Sequence, residues 1–151
     1  MLFSNYILLI RKFAFDNSEK DDIHGFNHVE RVYNMCIKLG EKLNANLEIL
    51  KISALLHDIG RIDEKKDILR RNHAVISAEK AFNFLTSQNF TISKENIENI
   101  IHCIKAHSFL NTLAPKTLEA KILSDADKLD ALGAIGLYRT IGFTIQNKGG
   151  I

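Results

Sequence analysis

The chain has 151 residues, of which 46% are hydrophobic and 25% charged, and its formal net charge is +2. That length suits one domain with its own core and is too short for two comfortable ones. A balance this even excludes a strongly basic nucleic-acid-binding protein, so no duplex partner is expected, while small anionic substrates remain compatible.

The opening stretch "MLFSNYILLIRKFAF" carries a short apolar run whose positive charges follow rather than precede it. It lacks the order of a signal peptide and the length of a membrane span, so it reads as an amphipathic helix near 2–15 of a cytoplasmic protein without a membrane partner. Val29, Val32, Cys36 and Leu39 then recur at helical spacing, which predicts a helix over 27–43. Asn27 and Glu30 stand in the capping-box relation at its start. A third helix is expected over 47–58, running through "ISALL" to His57 and Asp58, with Gly60 as the residue that stops it. The charge-dense "RIDEKKDILRR" that follows reads as a solvated connection. Further helices are expected over 73–88 and 94–107. The second of these shows Ile97, Ile100, Ile101 and Ile104 on one stripe, Ser93 as N-cap and Glu95 in the first turn. Two last helices are expected over 117–129 and 130–141. One proline and three valines provide little of the punctuation or β-branching of an all-β fold. The expected class is therefore an all-α, single-domain helical bundle. Cys36 and Cys103 lie in apolar helical stretches and are expected to be buried, reduced thiols.

Chemistry concentrates in six histidines, His24, His28, His57, His73, His102 and His107, spread over most of these helices. Imidazole favours borderline transition metals, and carboxylates shift the preference toward harder ions. His57 and Asp58 are adjacent, so on a helix they point about 100° apart. Both can still reach one ion in the groove between two neighbouring helices. An ionised Asp58 in so apolar a setting is costly unless it faces a cation. For the dipeptide alone, a helix cap followed by a surface turn is the favoured reading, since His-Asp pairs are common by chance. Two other stretches add weight. "HGFNHVERV" places His28 and Arg31 on one helix face. "LSDADKLDALGAIGLYR" holds Asp125, Asp127 and Asp130 in a helical setting, with Asp127 and Asp130 on a shared face. Its Ala131, Gly133, Ala134 and Gly136 make a slim segment that another backbone or a ligand can approach closely.

This ordered set resembles the HD-domain metal-dependent phosphohydrolases, in particular a small stand-alone branch of that family. The pieces that carry the resemblance are His24–His28–Arg31–Val32, Ala54 to Ile59, His73 with Ser77 to Glu79, His107–Ser108–Phe109, and Asp125 to Arg139. The resemblance implies an all-α bundle with a metal at its centre, held by His28, His57, Asp58 and Asp127. The implied cofactor is one divalent ion, or two, drawn from Mn, Mg, Co, Ni or Fe. It also implies hydrolysis of a phosphoester or phosphoanhydride on a small phosphorylated substrate, foremost a nucleotide. Nucleoside triphosphate pyrophosphohydrolysis and nucleotide phosphomonoester hydrolysis are the leading reactions. The alternative is a non-catalytic nucleotide- or metal-binding sensor on a degenerate HD domain, and a purely structural helical domain is a third reading.

Within that resemblance the catalytic candidates are Asp58, Arg61, Arg31, His73 and His107. Phosphate-holding candidates are Arg61 first, then Arg31 and Lys128, with His24 at the mouth of the site. His73 and His107 could ligate a second ion or hydrogen-bond phosphate. His102 reads as a packed residue beside the site. Asp130 could brace a ligand histidine from behind. Lys65, Lys66, Arg70 and Arg71 could reach a triphosphate if their segment acts as a lid.

Gly25 stands where close relatives carry an acidic residue, and Leu110 where a small polar one is common. Relatives of this branch continue for several dozen residues past the point where "NKGGI" ends the chain. The expectation is thus one HD domain over 1–151 that could lack the family's C-terminal helices. An apolar patch left open there favours a homo-oligomer.

Overall fold

Four helices begin on a side chain that satisfies otherwise unpaired backbone N–H groups. Asn46, Asn72, Ser93 and Thr117 each accept from an N–H two or three residues on. In this computed structural model, which describes residues 3–21 and 23–148, the helices are α1 (Phe3–Asp16), α2 (Phe26–Leu43), α3 (Leu47–Leu56), α4 (Arg61–Glu64), α5 (His73–Ser87), α6 (Lys94–Ala106), α7 (Leu118–Leu129) and α8 (Gly133–Lys148). No strand occurs among the described residues, where one isolated bridge joins Glu19 and Gly25. The all-α expectation holds, and the helix bounds fall close to those read from periodicity except at α8, while α4 is a turn of helix that the periodicity does not predict.

The short helix α3 is the axis of the bundle. It packs against α1, α2, α5, α6 and α7. Ile49, Leu50 and the whole run from Ile52 to Gly60 are buried. A helix covered on nearly every side must be apolar all round, and "ISALL" is. Its one hydroxyl, Ser53, donates within the helix to the carbonyl of Ile49 at 2.7 Å. Cys36 and Cys103 are buried and unbridged. In both thiols burial pushes the pKa up, in Cys103 to about 12. That keeps them protonated and packing as small apolar groups.

Three local expectations are corrected. Asn27 does not cap α2; the helix starts a residue earlier, at Phe26, after Gly25. A side chain at Gly25 would lie 1.9 Å from the carbonyl oxygen of Asp21, so the tight turn leading into α2 excludes one. Glu30 pairs instead with Arg11 of α1. Gly60 does not stop α3 in a left-handed conformation; its φ is −93° and it precedes α4. It is small for another reason. A Cβ there would lie 2.6 Å from the backbone nitrogen of Ser77, so the glycine lets α5 lie against the end of α3. Its N–H donates to the Ser77 hydroxyl at 2.9 Å. Finally, the last helix runs from Gly133 to Lys148, because Asp130 ends α7 and Gly133 turns the chain with φ +68°.

The segment after α3 contains one turn of helix, and its Ile68, Leu69 and Arg70 are exposed. Arg71 is tied to Asp67 and Glu79. On α8, Leu137, Ile141 and Ile145 are exposed at four-residue spacing. No helix among the described residues is long and apolar enough to cross a membrane.

Candidate metal centre

Five helices bring an end or a face to one buried point. α2 contributes His28, the end of α3 contributes His57 and Asp58, α5 begins with His73, α6 ends at His107, and α7 contributes Asp127 and Asp130. His28, His57, Asp58, His73 and His107 are all buried.

Asp58 is the hub. Its Oδ2 lies 3.6 Å from His28 Nε2 and 3.7 Å from His57 Nε2. Its Oδ1 lies 3.4 Å from His73 Nε2 and 3.5 Å from His107 Nε2. One carboxylate thus faces two histidine pairs with its two oxygens. The outer edge of Oδ2 accepts from Arg61 Nε at 2.7 Å. On the first side, Asp127 Oδ1 lies 3.2 Å from His28 Nε2 and 3.9 Å from His57 Nε2.

The histidine rings are oriented from behind. His57 Nδ1 donates to the Ala54 carbonyl at 2.7 Å, and His107 Nδ1 donates to the Ile104 carbonyl at 2.6 Å. A carbonyl only accepts, so the proton sits on Nδ1 and the Nε2 lone pair faces inward. His28 Nδ1 meets Asp130 Oδ2 at 2.7 Å. His73 takes Glu64 as its neighbour, through its backbone N–H at 2.8 Å and its Nδ1 at 3.3 Å.

Electrostatics favour a cation here. Burial works to raise the Asp58 pKa, but Arg61 and His57 outweigh it and hold the carboxyl well below its usual range. For Asp127, burial is likewise overcome by its hydrogen bond to His28, and its pKa also falls. His57 is driven down to about 4 by burial and stays neutral. His28 moves the other way. Burial is outweighed by the bonds to Asp127 and Asp130, so the point between these carboxylates attracts positive charge. Among the described residues, three buried side-chain atoms have no hydrogen-bond partner, namely Asp58 Oδ1, His73 Nε2 and His107 Nε2. Each such atom costs about 1–3 kcal/mol when left unmet. All three converge on one spot, and an ion there satisfies them together. His28, His57 and Asp58 form one set able to hold a metal, and Asp58, His73 and His107 form a second. The donors, imidazole nitrogen and carboxylate oxygen, suit divalent first-row ions.

The other sequence candidates fall in four places. His24 and Arg61, the latter bonded to Asp58, together line two adjoining hollows of about 280 and 410 Å³. Phe143 shares both, and its ring meets His24 edge-on at 5.6 Å. Arg31 points to Asp130, with Nε–Oδ1 at 2.7 Å. Lys128 bonds Ser124 and lines a different hollow with Ser108 and Asn111. His102 is only partly buried and accepts the Lys116 N–H at 2.9 Å, outside the cluster. Glu64 and Arg139 have no assigned part in the sequence reading. Arg139 closes the motif that ends at that residue, but nothing in its spacing reveals its partner. The structure sets its Nη1 2.7 Å from Asp130 Oδ2.

Comparison with known proteins identifies the family and the fold. The HD domain family model matches residues 25–132. YpgQ of Bacillus subtilis, an uncharacterized protein, is 35% identical over 125 residues, which is 80% of this chain and 57% of YpgQ. The chain therefore spans little more than half the length of that relative. The crystal structure of YpgQ in complex with ADP superposes with a TM-score of 0.74 at 32% identity, covering 100% of this chain and 71% of that one. A predicted HD superfamily hydrolase from an uncultured Thermotogales bacterium gives a TM-score of 0.72 at 32% identity, covering 92% of this chain and 74% of that one.

Proposed function

The chain belongs to the HD-domain family, and from that premise we propose that it is a divalent-metal-dependent phosphohydrolase acting on a nucleotide. The observation that carries the reading is Asp58, whose two oxygens each face a pair of inward-turned histidine nitrogens, three of these atoms being buried and unpartnered. His28, His57, Asp58 and Asp127 would hold a first ion. Asp58, His73 and His107 would hold a second. When bound, such ions supply a coordinated water of lowered pKa and stabilise charge on a phosphoryl oxygen.

The remaining residues bind and orient. Arg61 spends its Nε on Asp58, while its guanidinium lines both hollows, where it can hold a phosphate oxygen. Asp58 keeps Arg61 charged, and the pKa of the guanidinium is raised although burial works to lower it. His24 faces the same space and is kept neutral, driven to about 4 by burial and by Arg61. It is therefore a neutral hydrogen-bonding group beside the phosphate rather than a second cation. Ile23 and Phe143 add an apolar wall in the smaller hollow, which suits a base or sugar better than a bare phosphate. The ADP bound by YpgQ, whose structure spans this whole chain, supports the nucleotide class.

The test is a panel of nucleoside mono-, di- and triphosphates and inorganic tripolyphosphate, assayed with Mn-loaded wild type and Asp58→Ala. The expected result is turnover of a nucleotide by wild type and none by the variant. Pyrophosphate as product identifies a pyrophosphohydrolase, and inorganic phosphate from a monophosphate identifies a phosphomonoesterase. Metal-loaded, folded wild type that turns over no member of the panel overturns the reading. Tight nucleotide binding without product selects the sensor instead.

A further inference from the structure

We propose that Arg31 and Arg139 are positioning residues, acting through Asp130 on the ring of His28, so that α8 is fastened to the metal centre. The inference rests on the metal-centre reading above.

His28 differs from the other ring donors in where it sits. His57 and His107 stand just past the ends of α3 and α6, and each finds a free carbonyl three residues back. His28 lies in the first turn of α2, and the carbonyl three residues before it, that of Gly25, already accepts the N–H groups of His28 and Val29. Its Nδ1 must therefore find an acceptor elsewhere, and it finds Asp130, 102 residues away, at 2.7 Å.

A lone buried carboxylate is a poor brace, because it is costly to desolvate and free to rotate. Asp130 is 6% exposed. Arg31 grips it with two parallel bonds, Nε to Oδ1 at 2.7 Å and Nη2 to Oδ2 at 3.0 Å. Arg139 adds Nη1 to Oδ2 at 2.7 Å and to the Asp130 carbonyl at 3.2 Å. Such a two-point grip fixes the plane of a carboxylate as well as its charge. With both oxygens held, the remaining direction of Oδ2 is aimed at His28.

Arg139 reaches this point only because α8 folds back over the end of α7. A Cβ at Gly136 would lie 2.0 Å from the Ala131 carbonyl oxygen, so that close return needs glycine. Arg139 Nε then anchors to the Ile23 carbonyl at 2.6 Å. The slim "DALGAIGLYR" segment and the arginine of "HVER" thus serve one purpose, which is to hold the His28 ring in place. A carboxylate behind a ligand histidine fixes the ring and raises its basicity, and losing such a group weakens metal binding about 10- to 100-fold.

The experiment titrates Co²⁺ into the metal-free full chain without substrate, following visible absorption and calorimetry. The proteins are wild type, Arg139→Gln, Arg31→Gln and Arg139→Lys, at a temperature where circular dichroism shows each one folded. Both Gln variants are expected to bind Co²⁺ about tenfold or more weakly, with an altered absorption envelope. Arg139→Lys is expected to recover part of the loss. Wild-type affinity and spectrum in Arg139→Gln would overturn the proposal. That result would also be the one expected if the arginine served only stability or substrate binding. Should the Gln variants fail to fold, Arg139→Lys decides alone: about threefold or greater weakening supports the proposal, and unchanged binding overturns it. Wild type that binds no Co²⁺ removes the metal reading and this inference with it. Wild type that binds while Arg139→Gln matches it removes this inference only.

Discussion

The rings of the centre are braced from behind by two different means, a division that cuts across the two pairs facing Asp58. For His57 and His107, one from each pair, each ring is held by a carbonyl of its own helix, three residues away. Those acceptors exist because a helix end leaves its last carbonyls unpaired, and no side-chain substitution can remove them. For His28, the ring is held by Asp130 across 102 residues, and Asp130 by Arg31 and Arg139. The first arrangement comes with the end of any well-packed helix. The second exists only once α2, α7 and α8 have assembled, so it is the brace at which point mutations can loosen the centre without touching a ligand.

The largest expected effect is at the residue both pairs face. Asp58→Ala should lose bound metal entirely in elemental analysis and weaken Co²⁺ binding by more than about a hundredfold, beyond what loss of a bracing residue produces. It also strands Arg61 next to buried histidines, so urea denaturation should show lower stability as well. Next comes the brace itself. Asp130→Ala should weaken Co²⁺ binding about 10- to 100-fold by titration, and no equivalent substitution exists behind His57 or His107. If Asp130→Ala binds Co²⁺ like wild type, the contrast between the two kinds of brace collapses.

Gly60→Ala probes the pair His73 and His107 through the packing of α5 on the end of α3. The added methyl meets Ser77 N at 2.6 Å and the His73 carbonyl at 2.7 Å, so α5 must shift and take His73 with it. A loss of about 1–3 kcal/mol in urea denaturation is expected, with the Asp58–His73–His107 set more affected than the His28 set. Asn72→Ala removes the side-chain cap just ahead of His73 and should cost about 1 kcal/mol in the same assay. The smallest effect is at His102, whose Nε2 accepts only the Lys116 N–H. His102→Gln should leave metal content unchanged, and a changed content would place that residue in the centre after all.

Much of this was legible in the order of residues because it depends on short range. Helix bounds follow from apolar spacing and from caps such as Ser93, which act within four residues. The burial of "ISALLHDIG" follows from a stretch apolar on every side, and five of the six histidines, with their aspartates, form an ordered set recognisable by its resemblance to HD domains. The misread positions were local patterns with two solutions. Asn27 and Glu30 have capping-box spacing, yet Glu30 is taken by Arg11. Gly60 looks like a helix stop and serves instead as clearance for α5.

By itself, then, the sequence determined an all-α bundle, a greasy central helix ending in His57 and Asp58, and the inventory of donors. Only the tertiary structure decided how those donors are shared. It set Asp58 between two histidine pairs, turned Arg31 toward Asp130, and gave Arg139 a partner. The physical reason is range. Hydrogen bonds within a helix turn are set by neighbours a few residues away, whereas which oxygen of a carboxylate meets which ring depends on how whole helices pack, and packing is written in no single stretch of the chain.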